Sequence, residues 1–361
     1  MLLKIWSISL SYPFLQKKIL VGFLTFKSWA VSTTGFICIR EWSMILIRRK
    51  VSKRLTLVFL WVKYFHSIQL MILLHQTQGE YKLSVIMDSM VVGFIGAGNM
   101  AEAIAKGLIS SKIVAAGNVI ASARTTNNLS TKWTPMGTMT TTNNIDVANK
   151  ADLIFLSVKP HILPGVLDEI NAAATDAWSK KLFVSVAAGV TLEFIQGKLS
   201  KVSNVKVIRT MPNTPCLVMS GVVVYALGEH CTSEDGKMLT SLMKVVGHIE
   251  EVEEKHIDAM SSLMGCSIAW FYNVVEGMSD GGVKNGVPRD VSYRLTAKAM
   301  EGAAKMVFES GKHVGQLKDE VTSPNGSTIA GIYELEQAGL RGIFMRAVQA
   351  ATDRNKELGK Q

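Results

Sequence analysis

At 361 residues, 48% hydrophobic and 19% charged, the chain has room for two domains and the composition of a globular enzyme, not of a disordered or fibrous protein. Its formal net charge of +10 suggests a nucleic-acid partner only until the charge is located. Residues 1–87 hold 12 Lys+Arg against 2 Asp+Glu, whereas 88–361 hold 27 of each sign, so the main body has no overall basic footprint and nucleic acid loses its main support.

The front piece, residues 1–86, is rich in Trp, Phe, Leu, Lys and Arg, nearly free of acids and poor in turn chemistry. Three readings compete for it. A mitochondrial presequence would be basic and acid-poor, but the first Arg is Arg40 and no clean amphipathic repeat stands out. A membrane span over 55–74 has the length, but Lys63, His66 and Gln69 interrupt it. The favoured expectation is an appendage outside the fold, with a natural start at Met87 or Met90. A cytoplasmic protein is expected, a mitochondrial one being the alternative. Cys38, Cys216, Cys231 and Cys266 are spaced singly, which predicts reduced thiols and neither a metal site nor a disulfide framework.

A self-sufficient pattern begins at Val91. The run 91–95 leads into Gly96-Ala-Gly98-Asn-Met-Ala101, the strand, turn and helix of a dinucleotide fingerprint. Gly96 suits the tight turn, Gly98 a close approach of phosphate, and Ala101 the packing of the helix on the strand. Asn99 and Met100 open that helix, whose free N–H groups and dipole favour an anion.

The next strand, 118–124, ends in Ser122-Ala-Arg124-Thr125 and not in the Asp or Glu that would bind a ribose 2′-hydroxyl. A cation with hydroxyls suits a 2′-phosphate, so NADPH is predicted over NADH; a solvated surface Arg is the alternative and would leave the preference open. Further strands are expected at 151–158, 181–189 and 205–209, separated by helical stretches, which predicts a mostly parallel, doubly wound sheet. The loops after them carry the candidate cofactor walls: Val158, Lys159 and Pro160; Ala187, Ala188 and Gly189; Asn213, Thr214 and Pro215. The prolines also suit plain turns.

From about residue 255 helical patterns take over, at 256–279, 290–311 and 327–358 with a break near Gly339. The expected division is therefore an extension at 1–86, a dinucleotide-binding domain at 87–254 and a helical dimerisation and substrate domain at 255–361. One loop stands apart, "KDEVTSPNGSTI" at 318–329. Ser327 or Thr328 is expected as the N-cap of the helix that follows, and the N–H groups of that helix start suit a small carboxylate.

Taken in order, "VGFIGAGNMAEAIAKGL", "SVKPHI", "VSVAAGVT", "VIRTMPNTP", "DGGVKNGVPRDVSYRL", "GAAKM" and "GQLKDEVTSPNGSTI" closely resemble pyrroline-5-carboxylate reductase from about Val91 to the C-terminus. The resemblance implies a Rossmann-type α/β doubly wound sheet followed by an all-α dimerisation domain, and reduction of L-1-pyrroline-5-carboxylate to L-proline with NAD(P)H. It implies a homodimer, which in the family assembles further into a pentamer of dimers. It also implies that Thr328 stands beside the imine nitrogen, that Ser323, Gly326, Ser327 and Thr328 hold the substrate carboxylate, and that loops 187–190 and 211–215 face the nicotinamide. No metal belongs to this scheme.

One segment departs from the family. Where it has Ser-Gly-Ser-Gly-Pro-Ala-Tyr, this chain reads Met264-Gly-Cys-Ser-Ile-Ala-Trp270, which keeps a second reading open: a catalytically weak, oligomer-forming relative. Asn325 in place of a loop glycine is mild, because Asn tolerates left-handed backbone. A third reading is a β-hydroxyacid-dehydrogenase type of reductase, with Lys284 as acid/base; the "SPNGSTI" loop has no place in that scheme.

Overall fold

The computed structural model describes residues 90–357 with their side chains, together with the backbone of Leu358 and of four strands before residue 64. The chain divides into two compact units, Met1–Leu83 and Ser84–Gln361. In the first, β1 (Ile5–Gln16), β2 (Ile19–Val31), β3 (Ile37–Val51) and β4 (Arg54–Lys63) pair antiparallel in sequence order. The apolar run 55–74 begins within β4, and its remainder lies outside the described residues, as does Met87. Among the described residues no helix is long and apolar enough to cross a membrane.

The second unit is built on eight strands: β5 (Val92–Ile95), β6 (Val119–Ser122), β7 (Met139–Thr141), β8 (Leu153–Leu156), β9 (Leu182–Ser185), β10 (Lys206–Pro212), β11 (Gly221–Leu227) and β12 (Gly247–Glu251). Their order is β12-β11-β10-β9-β8-β5-β6-β7. Each predicted run holds a strand that starts one or two residues into it, with β10 continuing to Pro212, and every residue of β5, β6, β8 and β9 is buried, as expected where helices cover both faces of a parallel sheet. At Gly93 a Cβ would lie 2.6 Å from both Ala151 and Val147, so the helix ending at Lys150 packs directly on the strand backbone. Phe94 stacks on Phe155 with ring centroids 4.9 Å apart.

The expected mostly parallel sheet is present, with one exception. The pair β10 and β11 runs antiparallel, with Thr210 opposite Tyr225, and β12 then pairs parallel to β11. Strands β7, β11 and β12 were not among the predicted elements; β7 is only three residues long and β12 is mostly exposed, so neither carries a strong apolar run.

The longer helices of this part are α1 (Asn99–Ser110), α2 (Asn144–Lys150), α3 (Leu163–Ala172), α4 (Leu192–Lys198) and α5 (Ser233–Met243), and shorter helical turns span 126–133. Helix α2 is capped by Asn143, whose side chain accepts from the Ile145 N–H, and α5 by a reciprocal box between Thr232 and Asp235.

The remainder is helical. Residues 257–261 run through a π-helical stretch at 262–266 into α6 (Ser267–Lys284), followed by α7 (Arg289–Ser310), α8 (Val314–Glu320), α9 (Ser327–Gln337) and α10 (Leu340–Leu358). The predicted break between the last two falls at Gly339. Helix α10 returns to the π-helical stretch, where Thr352 Oγ1 donates to Ser262 Oγ at 3.1 Å and Asn355 Nδ2 to the Asp258 carbonyl at 3.1 Å. Sheet and helices are joined by Arg209 of β10, whose side chain is 3% exposed and whose guanidinium pairs with Glu254 at 3.1 Å and Asp258 at 2.6 Å. A buried cation needs a carboxylate partner, and this one has two, one at each terminal nitrogen.

Candidate active site

The strand order reverses at β5: the chain proceeds outward to β6 and β7 on one side, then returns to β8, β9 and β10 on the other. In an open parallel sheet that reversal leaves a crevice beyond the carboxyl ends of the strands. Here it is a cleft of about 890 Å³, walled by the loops that follow β5, β6, β8 and β9.

Its floor is the glycine turn. Gly96 has φ +105°, and a Cβ there would lie 2.7 Å from the Ser157 carbonyl oxygen, so both conformation and space require glycine. The turn is fastened to both neighbouring strands: the Gly96 N–H donates to the Ser122 carbonyl at 3.0 Å, and Ser157 Oγ donates to the Gly96 carbonyl at 2.7 Å. Gly98 differs. It lies in extended backbone at φ −82°, and a Cβ there would meet nothing within 4 Å. The structure thus leaves open space in front of Gly98, at the N-terminus of the twelve-residue α1, where a phosphate would be met by free N–H groups. By this measure the site fits a dinucleotide.

The cleft lining brings together most residues singled out for a cofactor: Gly96, Gly98, Asn99, Met100, Ser122, Arg124, Val158, Lys159, Pro160, Ala187 and Ala188. Gly189, Asn213, Thr214 and Pro215 are not in that lining. Asn213 is fully engaged elsewhere: its Oδ1 accepts from the Val222 N–H at 2.8 Å and its Nδ2 donates to the Met264 carbonyl at 2.8 Å. It ties the β10 loop to the π-helical stretch, so its side chain has a structural task.

Ser122 also differs from the simple picture of a hydroxyl offered to a ligand. It is fully buried and donates to Asn144 Oδ1 at 2.7 Å, while Asn144 Nδ2 donates to Glu169 Oε2 at 2.8 Å. Asn144, Glu169 and Asn128 line the cleft and were missed from sequence. They come from three separate helical segments, and no local motif marks them. Arg124 is exposed on the cleft wall and has no ion-pair partner among the described residues.

The turn 323–328 lies apart from this lining. The expectation of Ser327 or Thr328 as N-cap is corrected: α9 begins at Ser327, and Gly326 is the capping residue, with no side-chain cap. Glycine fits because a Cβ would lie 2.4 Å from Ser323 Oγ, which packs over it. Asn325 has φ +54°, the left-handed conformation anticipated for it. Ser323, Ser327 and Thr328 are exposed, and among the described residues the Thr328 hydroxyl makes no hydrogen bond, which leaves it and the first N–H groups of α9 available to a ligand.

In the departing segment, Met264 is partly buried against the main hydrophobic core, and Gly265 lies with its α-carbon face toward the Met211 methyl. Lys284 is the exposed last residue of α6, where a cation complements the helix dipole. Cys216, Cys231 and Cys266 are free thiols; burial pushes those of Cys216 and Cys231 above the ordinary range.

Comparison with known proteins adds independent findings. Residues 254–358 match the profile described as pyrroline-5-carboxylate reductase dimerisation, and residues 91–189 that described as NADP oxidoreductase coenzyme F420-dependent. Rat pyrroline-5-carboxylate reductase 2 is 44% identical over 271 residues, covering 74% of this chain and 84% of the relative. The soybean pyrroline-5-carboxylate reductase is 41% identical over 271 residues, covering 75% and 97%. Among solved structures, Plasmodium falciparum pyrroline carboxylate reductase with NADP bound superposes with a TM-score of 0.68 at 32% identity, covering 76% of this chain and 99% of that one.

Proposed function

We propose, on the premise that the chain belongs to the pyrroline-5-carboxylate reductase family, that it reduces L-1-pyrroline-5-carboxylate to L-proline with NADPH, the closing step of proline formation. The observation that carries this reading is the cleft at the strand reversal, with its glycine turn, the open space before Gly98 and the unpaired Arg124 on its wall. NADPH, when bound, supplies the hydride that the imine carbon needs. Gly96 and Gly98 hold its diphosphate on the N-terminus of α1, and Arg124 reads the 2′-phosphate, for which NADH has no counterpart.

The substrate's other needs are a proton donor at the imine nitrogen and an anchor for its carboxylate. The turn before α9 offers both: the Thr328 hydroxyl stands free, and the N–H groups of the first turn with Ser323 receive the carboxylate at the positive end of the helix. Fixing the ring at that turn orients the C=N bond, and orientation supplies much of the rate. The chain acts as a homodimer in which the α9 turn of one copy meets the cofactor cleft of the other, and dimers assemble into a ring of five. The working compartment is the cytoplasm, with the mitochondrion as the alternative.

The test is NADPH oxidation by the purified chain with pyrroline-5-carboxylate, followed together with proline formation. Turnover is expected, and Thr328→Val is expected to lower kcat/KM by about 100-fold with NADPH affinity unchanged. Cofactor binding without turnover would favour the weak-relative reading; replacing 264–268 by the family residues should then raise turnover sharply.

A further inference from the structure

The glycine turn is braced from one side by the residues that follow β6. Asn128 and Lys132 lie four residues apart on the helical turns over 126–133, which places them on one face, and Arg124 stands just before those turns. That face is bonded to the glycine turn: Asn128 Nδ2 donates to the Ala97 carbonyl at 3.4 Å, and Lys132 Nζ donates to Asn99 Oδ1 at 3.2 Å. Arg124, Asn128 and Asn99 line the cleft; Lys132 stands one hydrogen bond behind it.

Lys132 is held in place by a second contact. Its ammonium donates to Glu102 Oε2 at 2.7 Å, while Lys106 donates to Glu102 Oε1 at 2.6 Å. Glu102 lies in the first turns of α1 and is 8% exposed. Burial alone would raise its pKa, but the hydrogen bonds and charges of Lys106 and Lys132 outweigh burial and hold it below the ordinary carboxylate range. A carboxylate one turn behind the phosphate position would repel a diphosphate, but the Lys106 ammonium by itself balances that charge, so neutrality there does not depend on Lys132.

An ammonium has donors and no acceptor, so the side of the Asn99 amide that meets Lys132 must be its oxygen. The nitrogen is thereby turned away, and among the described residues Asn99 Nδ2 makes no hydrogen bond. We propose that Lys132 is a positioning residue for the dinucleotide: by fixing the Asn99 amide through its oxygen, it presents the Nδ2 N–H groups to the diphosphate. This rests on the reading of the cleft as an NADPH site and adds to it a contact common to NADPH and NADH, in contrast to Arg124, which serves only the 2′-phosphate.

The test is calorimetric affinity of the full chain for NADPH and for NADH. Asn99→Ala and Lys132→Met are each expected to weaken both cofactors by the same factor, about tenfold, the scale of one hydrogen bond to a charged group. The double variant should be no weaker than either single one, because one N–H contact is lost in all three. Lys132→Arg keeps a donor without an acceptor and should stay within about twofold of the parent. Asn99→Asp retains the contact to Lys132, leaves Glu102 paired and removes the N–H groups, so it should weaken both cofactors at least as much as Asn99→Ala even if Lys132→Met folds poorly. Unchanged affinity in Asn99→Asp, factors that multiply in the double variant, or a loss confined to NADPH in Lys132→Met would each overturn the assignment. A parent chain with no affinity for either cofactor would overturn the reading of the cleft together with it; normal parent affinity with unaffected variants overturns the role of Lys132 alone.

Discussion

The sheet-bearing part and the helical part of the second unit satisfy their apolar side chains in opposite ways. Among the described residues, every buried hydrophobic side chain lies between Met90 and Ile257, including Trp133, Trp178, Phe94, Phe155 and Phe183. From 262 onward the buried described side chains are Ser262, Ser267, Ser279, Ser292 and Thr352, while Leu295, Tyr333, Met345 at 74% and Phe308 at 86% stand exposed. Fully burying one such large side chain is worth about 1.5–3 kcal/mol, so the first region builds its core within its own chain and the second does not. A dimerisation profile matches this second region, and a second copy is what its exposed faces require. Cofactor binding and catalysis should therefore be separable: the first needs one chain, and the second, on the function proposed above, needs two.

The largest effect should come from breaking that requirement. Leu295→Asp combined with Phe308→Asp places charges on the exposed helical faces, where an interface would bury them unpaired. Sedimentation is expected to show a monomer and turnover to fall by about 100-fold or more, with NADPH affinity within about twofold of the parent. A dimer with normal turnover would remove the contrast between the two regions.

Within the cofactor region, the two glycines of the turn should part company. Gly96→Ala meets both a left-handed backbone and the Ser157 carbonyl, and is expected to cost about 2 kcal/mol or more of stability in denaturant unfolding. Gly98→Ala meets neither, so its unfolding should match the parent while NADPH affinity falls about tenfold, because the methyl occupies phosphate space. Equal stability losses in both would show that the space before Gly98 is not reserved for a ligand.

Arg124→Ala should weaken NADPH by about tenfold and leave NADH unchanged, the size of one charge-assisted contact. Equal losses for the two would assign the residue to the surface.

The smallest effect concerns the capping box of α5. Burial opposes ionisation of Asp235, but hydrogen bonds from the Thr232 N–H and hydroxyl and from Lys206 outweigh it, so the folded-state pKa lies below the ordinary value. A depressed carboxylate pKa contributes stability that is present above the unfolded value, about 3.9, and is lost as pH falls through the lower folded one. Asp235→Asn should cost about 1 kcal/mol at neutral pH and flatten the acid limb of the unfolding midpoint. An unchanged acid limb would assign the acid sensitivity elsewhere.

Much of this molecule was legible in its sequence, because the signals involved are local. The central strands are short, mainly apolar runs, the turn announces itself by Gly96 and Gly98, and Gly339 interrupts the last helical pattern where α9 ends. The left-handed Asn325 follows from what a short amide side chain tolerates. What remained hidden depends on distant partners. The fold alone shows that the Ser122 hydroxyl is bonded to Asn144 and that Val222 and Met264 engage both ends of the Asn213 amide. Asn128, Asn144 and Glu169 reach the cleft only because three helical segments converge on it.

By itself, the sequence determined the dinucleotide turn, the parallel core and the helical second half, since each follows from residue conformation or apolar periodicity within one segment. Only the tertiary structure decided the antiparallel pairing of β10 and β11, the capping of α9 by Gly326 and the bond from Lys132 to Asn99. Those depend on which donors and acceptors become neighbours once the chain is packed, and residues 33 positions apart carry no local sign that they will meet.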